Sequence, residues 1–217
     1  MWLLLLISSE LAAQQNIAQI AVWKPKPGLE KNFENGYKQH LSWHKNSGDT
    51  WNWYGWYVTS GPQDGYFIDA TFGHTWEDFD RPVNPADGTD NELHTYPFGD
   101  FLWRYKLEKL PDLSSPDSVV LNAKLLRFIT LSVIEMPAAL KLMQKLKTGR
   151  LQVYKIVDGG DLNQLMILIG CSSFKEFGKS GDVVDEIAAL EIASKVKIIK
   201  SISSETLRFQ PEMSLLP

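Results

Sequence analysis

Thr75-Trp76-Glu77-Asp78-Phe79 and Ser173-Phe174-Lys175-Glu176-Phe177 lie in opposite halves of the chain and share one pattern. Each has a hydroxyl residue suited to cap a helix, then an aromatic, two polar residues and a phenylalanine. Each also follows two strand-like runs joined by a turn. Upstream of Thr75, the aromatic-rich run Trp51 to Thr59 leads into Gly61-Pro62-Gln63-Asp64-Gly65 and then Tyr66 to Phe72. Upstream of Ser173, Leu151 to Val157 leads into Asp158-Gly159-Gly160-Asp161 and then Leu162 to Ile169. Glycine-rich turns between β-prone runs predict hairpins in both places.

Working outward, the apolar run Ile17 to Trp23 reads as a strand, stopped by Lys24-Pro25-Lys26-Pro27-Gly28. Leu29, Phe33, Tyr37 and Leu41 then recur at four-residue steps, which predicts a helix from Leu29 to about Trp43. Trp76 opens a short helix, Pro82 to Pro97 reads as a long polar loop, and a last strand runs from Phe98 or Phe101 to Leu107. The second half repeats the order. Lys124 to Ile134 is a strand and Glu135 to Lys147 a helix with Pro137 in its first turn. After the second hairpin come a short helix at Ser173, a helix from Asp182 to Ser194 and a closing strand from Lys195 to Phe209. The order β-α-β-β-α-β therefore occurs twice, which is the split βαβ, ferredoxin-like plan. The boundaries are a first unit at 14–110, a linker at 111–123 and a second unit at 124–217.

Composition narrows the partners. A chain of 217 residues with net charge −4 has no basic excess to neutralise phosphates, so nucleic acid is not an expected partner. Lys141, Lys145, Lys147 and Arg150 read as the solvated face and last turn of a helix. Cys171 is the single cysteine, so no intrachain disulfide is available, and the apolar run before it predicts a buried, inert thiol. Trp2 to Ile7, followed by Ser8, Ser9 and Ala12-Ala13, reads as a leader at 1–13 cleaved before Gln14, although it lacks a positive n-region. It is too short to span a bilayer. The expectation is an exported protein, periplasmic or extracellular in a bacterium, with no integral membrane span.

The first half resembles the dimeric α+β barrel superfamily, which includes antibiotic-biosynthesis-monooxygenase-like and NIPSNAP-like domains. The residues that carry this are Lys26-Pro27-Gly28 opening an aromatic-striped helix, the Trp/Tyr-rich strand, the glycine hairpin and Trp76-Glu77-Asp78-Phe79. Lys124 to Phe209 resembles it more weakly. The resemblance implies an α+β fold in which two tandem ferredoxin-like units pack their sheets into a barrel as an internal pseudo-dimer. It leaves monomer or homodimer open, and it implies that haem is possible, since related barrels hold haem. No cofactor is required by any motif.

Candidate site residues gather in the first half. Of eight tryptophans, Trp43, Trp51, Trp53 and Trp56 fall within fourteen positions, and none lies after Trp103. Trp51, Trp53, Gly55 and Tyr57 share one face of the predicted strand; Asn52, Tyr54, Trp56 and Val58 share the other. One face should meet helices and the other the barrel interior, as pocket wall or as core. His40 and His44 stand one turn apart on a helix, a spacing that can hold a metal, but no third ligand is fixed by sequence and no metal is assigned. His74 precedes the Thr75 cap. Asp69 and Arg104 are charges inside strands, costly if buried unless paired or used. Asp87, Asp90 and Glu92 lack the spacing of an EF-hand.

The ligand-binding candidates are thus Trp51, Trp53, Tyr57, His44 and Arg104, and the catalytic candidates His44, His74 and Asp69. The leading function is an exported small-molecule-binding protein with an aromatic-lined pocket in the first half. The alternatives are a cofactor-free monooxygenase-like enzyme, a haem-binding barrel, and a structural module with no pocket. The second half has neither Trp nor His and is expected to act as structural partner.

Overall fold

The computed structural model describes residues 15–80, 87–115, 120–147 and 150–217. The leader read at 1–13 lies outside them, as do 81–86 of the polar loop and 116–119 of the linker. Each half supplies four strands and its own helices. The first has β1 (Ile17–Pro25), α1 (Glu30–Asn46), β2 (Tyr54–Val58), β3 (Phe67–His74), α2 (Asp87–His94) and β4 (Gly99–Lys109). The second has β5 (Leu125–Val133), α3 (Met136–Met143), β6 (Leu151–Asp158), β7 (Gln164–Cys171), α4 (Phe174–Lys179), α5 (Asp182–Ser194) and β8 (Ile199–Phe209). Trp76-Glu77-Asp78-Phe79 contributes a single 3₁₀ turn, Glu77–Asp80, where Thr75 Oγ1 accepts from the Asp78 amide and the Asp78 carboxylate accepts from the Thr75 amide. In the second half Ser173 caps α4 by accepting from the Glu176 amide.

Two of these elements differ most from the sequence reading; in addition α3 ends at Met143 rather than Lys147, and β8 begins at Ile199 rather than Lys195. The polar stretch read as one loop from Pro82 to Pro97 contains α2. Its acidic first turn and histidine-bearing last turn suit the helix dipole. The aromatic strand is also shorter than Trp51 to Thr59. Asp49 captures the segment before Tyr54, its carboxylate accepting from the Trp51 amide and from Trp53 Nε1, both at 2.8 Å. Trp53 keeps only an isolated bridge to Leu215.

The eight strands close into a barrel in the order β1-β3-β2-β8-β5-β7-β6-β4, and β4 pairs back onto β1. Within each half the spatial order is that of a split βαβ unit. The two seams are equivalent: β2 pairs with β8, and β4 with β6, so the second strand of each half meets the fourth of the other. Among the described residues, closure gives every strand a partner on both sides. At the second seam Gly159 is required by space and backbone. Its φ is +86°, and a Cβ there would sit 2.4 Å from the Arg104 carbonyl oxygen.

Alternation along each strand then sorts the core. Ala18, Ile20, Val22, Trp56, Val58, Ile68 and Leu107 of the first half meet Leu126, Phe128, Tyr154, Ile156, Met166 and Leu168 of the second inside the barrel. Outside it, α3 and α5 cover an aliphatic layer that includes Ile129, Leu131, Val153, Leu165 and Ile167. Under α1 the layer is aromatic: Trp23, Phe33, Tyr37 and Phe67. Cys171 is a buried free thiol in the second-half layer. Among the described residues no helix is long and apolar enough to cross a membrane.

Trp56 is 2% exposed at the barrel centre. Trp56→Ala should cost about 3–5 kcal/mol in urea unfolding. Trp76→Ala, whose ring is 53% exposed, should stay within about 0.5 kcal/mol.

Candidate functional site

The outer face of β3-β1-β4 is laid out in rows by its register. Phe67, Trp23 and Phe101 form one row, Asp69, Ala21 and Arg104 the next, and Thr71, Gln19 and Lys106 a third. Ala21, between an acid and a cation, leaves an open floor because its side chain is a single methyl. Phe101 and Arg104 point the same way only because the β1–β4 register shifts between Val22 and Trp23, which absorbs Leu102 as a bulge.

Above this floor lies α1, which buries Phe33, Gly36, Tyr37, His40, Leu41 and His44 along one stripe. Gly36 lets α2 close against α1, since a Cβ there would sit 1.8 Å from the His94 carbonyl oxygen. That approach carries Asp87, Asp90 and Asn91 to the two α1 histidines. His40 Nδ1 lies 2.7 Å from Asp90 Oδ2, and His40 Nε2 lies 3.0 Å from His44 Nε2. His44 Nδ1 stands 2.8 Å from Asp49 Oδ2, close in distance but out of line for an aligned hydrogen bond. The same Asp49 orders Trp51 and Trp53, so one carboxylate ties the end of α1 to the aromatic segment.

Floor, helices and aromatic segment enclose a cavity of about 200 Å³. The sequence candidates His44, Asp69, Trp51, Trp53 and Arg104 all line it. Two candidates do not. Tyr57 packs on Phe67 in the aromatic layer. His74 lies behind Trp51, ring centroids 4.1 Å apart, with Nε2 2.5 Å from Thr71 Oγ1. Sequence reasoning missed Gln19, Trp23, Tyr37, Phe79, Phe101 and Lys106, which also line it, together with Asp87 and Asn91 from α2.

Charge is unevenly placed. Asp69 is 6% exposed and accepts from Trp23 Nε1 at 2.7 Å. Burial pushes its carboxyl up to about 6, against the opposing pull of Trp23 and Arg104. Arg104 is exposed at the cavity mouth, with Phe101 beneath its guanidinium. Lys106 donates to Gln19 Oε1 at 2.6 Å and lies over the Phe79 ring; burial, then the Arg104 charge, brings its amine down to about 8. Burial raises the Tyr37 phenol well above its ordinary value, and the Asp69 charge adds to this. Burial lowers His74, and burial followed by the neighbouring His44 lowers His40. For Asp49 burial acts upward, but the close His44 imidazole and the hydrogen bonds from Trp53 and Trp51 prevail and hold it below the usual carboxylate value.

No protein-family model matches the sequence, and no curated protein does. Solved structures resemble it over nearly the whole chain. A provisionally named monooxygenase from Lactobacillus acidophilus has TM-score 0.60 at 8% identity, covering 90% of this chain and 94% of that one. A chlorite dismutase from Candidatus Nitrospira defluvii also has TM-score 0.60 at 8% identity, covering 92% of each chain. An anthrone oxidase-like protein has TM-score 0.56 at 12% identity, covering 92% and 93%. The fold is that of the dimeric α+β barrel proteins, with both ferredoxin-like units on one chain.

Two outcomes check this geometry. Gly36→Ala should lower the thermal midpoint clearly, whereas Asn35→Ala on the exposed side should not. Alanine improves intrinsic helix propensity by about 1 kcal/mol, so a stabilised Gly36→Ala protein would contradict the α1–α2 packing. For Asp69, the unfolded carboxyl titrates near ~3.9 and the folded one near 6. Between those values the native state binds more protons, so this group's contribution to stability falls as pH rises through the window. Urea unfolding at pH 4, 5, 6 and 7 should show that fall in the wild type relative to Asp69→Asn. Parallel curves would contradict it.

Proposed function

We propose that the first half binds a small planar, acidic ring compound in this cavity and that Asp69 takes a proton from it. The observation that carries this reading is the buried Asp69 carboxylate, aimed across Ala21 towards Arg104 within aromatic walls. A cavity of ~150 Å³ admits benzene, so about 200 Å³ is room for one or two rings. Trp51, Trp53 and Phe79 offer flat surfaces to such rings. Arg104 and Lys106 offer positive charge to an oxygen that becomes negative when the proton leaves, and a carboxyl titrating near 6 is ionised and basic at neutral pH.

This supports the monooxygenase-like alternative over a passive carrier. A carbanion generated this way is electron-rich enough to reduce oxygen, and R₂CH₂ + O₂ → R₂C=O + H₂O balances without a further reductant. The names of two similar structures, a monooxygenase and an anthrone oxidase-like protein, point to the same chemical class. A porphyrin is larger than one or two rings, so haem would have to extend out through the cavity mouth. Both seams of the barrel are internal to the chain, so closing the barrel needs no second copy, and the acting unit is a monomer or a homodimer. The leader reading makes export part of the proposal.

Two measurements test it. 2-Naphthol should quench tryptophan fluorescence saturably, and Arg104→Ala should weaken that binding at least tenfold. The C1 hydrogens of 2-tetralone, benzylic and α to the carbonyl, should exchange with deuterium faster in the presence of the protein, with a rate that rises through pH about 6 and is lost in Asp69→Asn. Saturable binding with no exchange would leave a carrier, and no saturable binding would remove the pocket from the function altogether.

A further inference from the structure

We propose that His40, His44 and Asp87 bind a divalent first-row transition-metal ion at the α1–α2 side of the cavity. This does not rest on the ring-binding reading, and its test uses the metal alone. The three candidate donors are His40 Nε2, His44 Nε2 and Asp87 Oδ1, and all lie within 4.8 Å of one another. Their separations are 3.0 Å between the histidines, 3.3 Å from Asp87 to His40 and 3.6 Å from Asp87 to His44. Ligands about 2.05 Å from a tetrahedral ion stand about 3.3 Å apart, the mean of those separations. A point about 1.9 Å from all three corners exists in their plane, so an ion just off the plane meets each at bonding distance.

The surroundings are those of a ligand set rather than of a helix surface. The imidazoles of His40 and His44 are 5% and 3% exposed. His40 turns its Nδ1 to the Asp90 carboxylate at 2.7 Å, while His44 Nδ1 has the Asp49 carboxylate 2.8 Å away but out of line. Such partners fix the tautomer that leaves Nε2 free to coordinate. The two Nε2 atoms face each other at 3.0 Å, a position that a shared proton or a coordinated metal ion can fill. Three carboxylates around two imidazoles supply the matching negative charge.

Asn91 adds an independent sign. Its amide nitrogen is placed 3.1 Å from His40 Nε2 and 3.2 Å from Asp87 Oδ1, while its Oδ1 is buried without a hydrogen-bond partner. Amide oxygen and nitrogen are exchanged by a flip of the side chain. With the amide flipped, Oδ1 takes the position 3.1 Å from His40 Nε2 and 3.2 Å from Asp87 Oδ1, within reach of the same ion as a further oxygen donor. Two imidazoles with carboxylate and amide oxygens form a borderline set, suited to Zn²⁺, Co²⁺, Fe²⁺ or Ni²⁺ rather than to calcium or magnesium.

The experiment is titration of the chelator-treated full-length chain with Co²⁺ and Zn²⁺, followed by calorimetry and visible ligand-field absorption. One ion should bind per chain, with low-coordinate Co²⁺ bands, and Zn²⁺ should raise the unfolding temperature. His44→Gln should weaken binding more than 100-fold, and Asp49→Asn should weaken it about 10- to 100-fold through His44. His74→Gln should leave binding unchanged. Should His44→Gln fail to fold, X-ray absorption of the Co²⁺-loaded wild type must show two imidazoles in the coordination shell. Absence of stoichiometric binding to the wild type, binding indifferent to His44→Gln, or a shell without two imidazoles would each overturn the proposal.

Discussion

A strand in a closed barrel has two faces, and in this fold each must be covered by something different. One face meets the other half inside the barrel; the other meets a helix layer outside it. The inner face is met alike in both halves, by large apolar side chains such as Trp56, Phe128, Tyr154 and Leu207. The outer faces diverge. On the central strand of the second half, Ile129 and Leu131 sit between Ile167 and Leu165 of β7 and Ser204 and Ile202 of β8. The two β7 residues are fully buried in the aliphatic layer beneath α3 and α5. On the corresponding strand of the first half stand Gln19, Ala21 and Trp23, flanked by Thr71, Asp69 and Phe67 and by Lys106, Arg104 and Phe101. A methyl floor between charged side chains cannot be filled by a helix in the same way, and a cavity remains.

The helices over that floor carry the titratable side chains. α1 presents histidines where α3 presents aliphatic side chains, and α2 approaches through Gly36 to bring carboxylates to them. The costs are plain: a carboxyl buried at Asp69, two imidazoles removed from water, and orphaned polar atoms at Asn91 Oδ1 and His44 Nδ1. The contrast between the halves agrees with one acting as site and the other as scaffold.

The repeat was legible in the sequence because its signals are local: caps at Thr75 and Ser173, glycine turns, and the helical stripe from Phe33 to Leu41. The division of the aromatic segment into two faces was legible too, since strand alternation is strict. Tyr54, Trp56 and Val58 do face the barrel interior, and Trp53 and Tyr57 the layer under α1. What sequence could not supply was the geometry made by non-local events. The bulge at Leu102 aligns Phe101 with Arg104. The capture of Trp51 and Trp53 by Asp49 takes them out of the strand, and the docking of α2 turns a polar loop into a wall. Asp87, Asn91 and Lys106 entered the site through those events, and Tyr57 and His74 fell outside it for the same reason.

The central claim is that the space between α1, α2 and the first-half sheet is where a ligand sits. The most direct test is fluorine NMR of the 5-fluorotryptophan-labelled chain with 2-naphthol added. The resonances of Trp23, Trp51 and Trp53, assigned by single substitutions, should shift saturably while Trp56 and Trp103 stay in place. Shifts confined to Trp56 and Trp103 would put the ligand inside the barrel and contradict it.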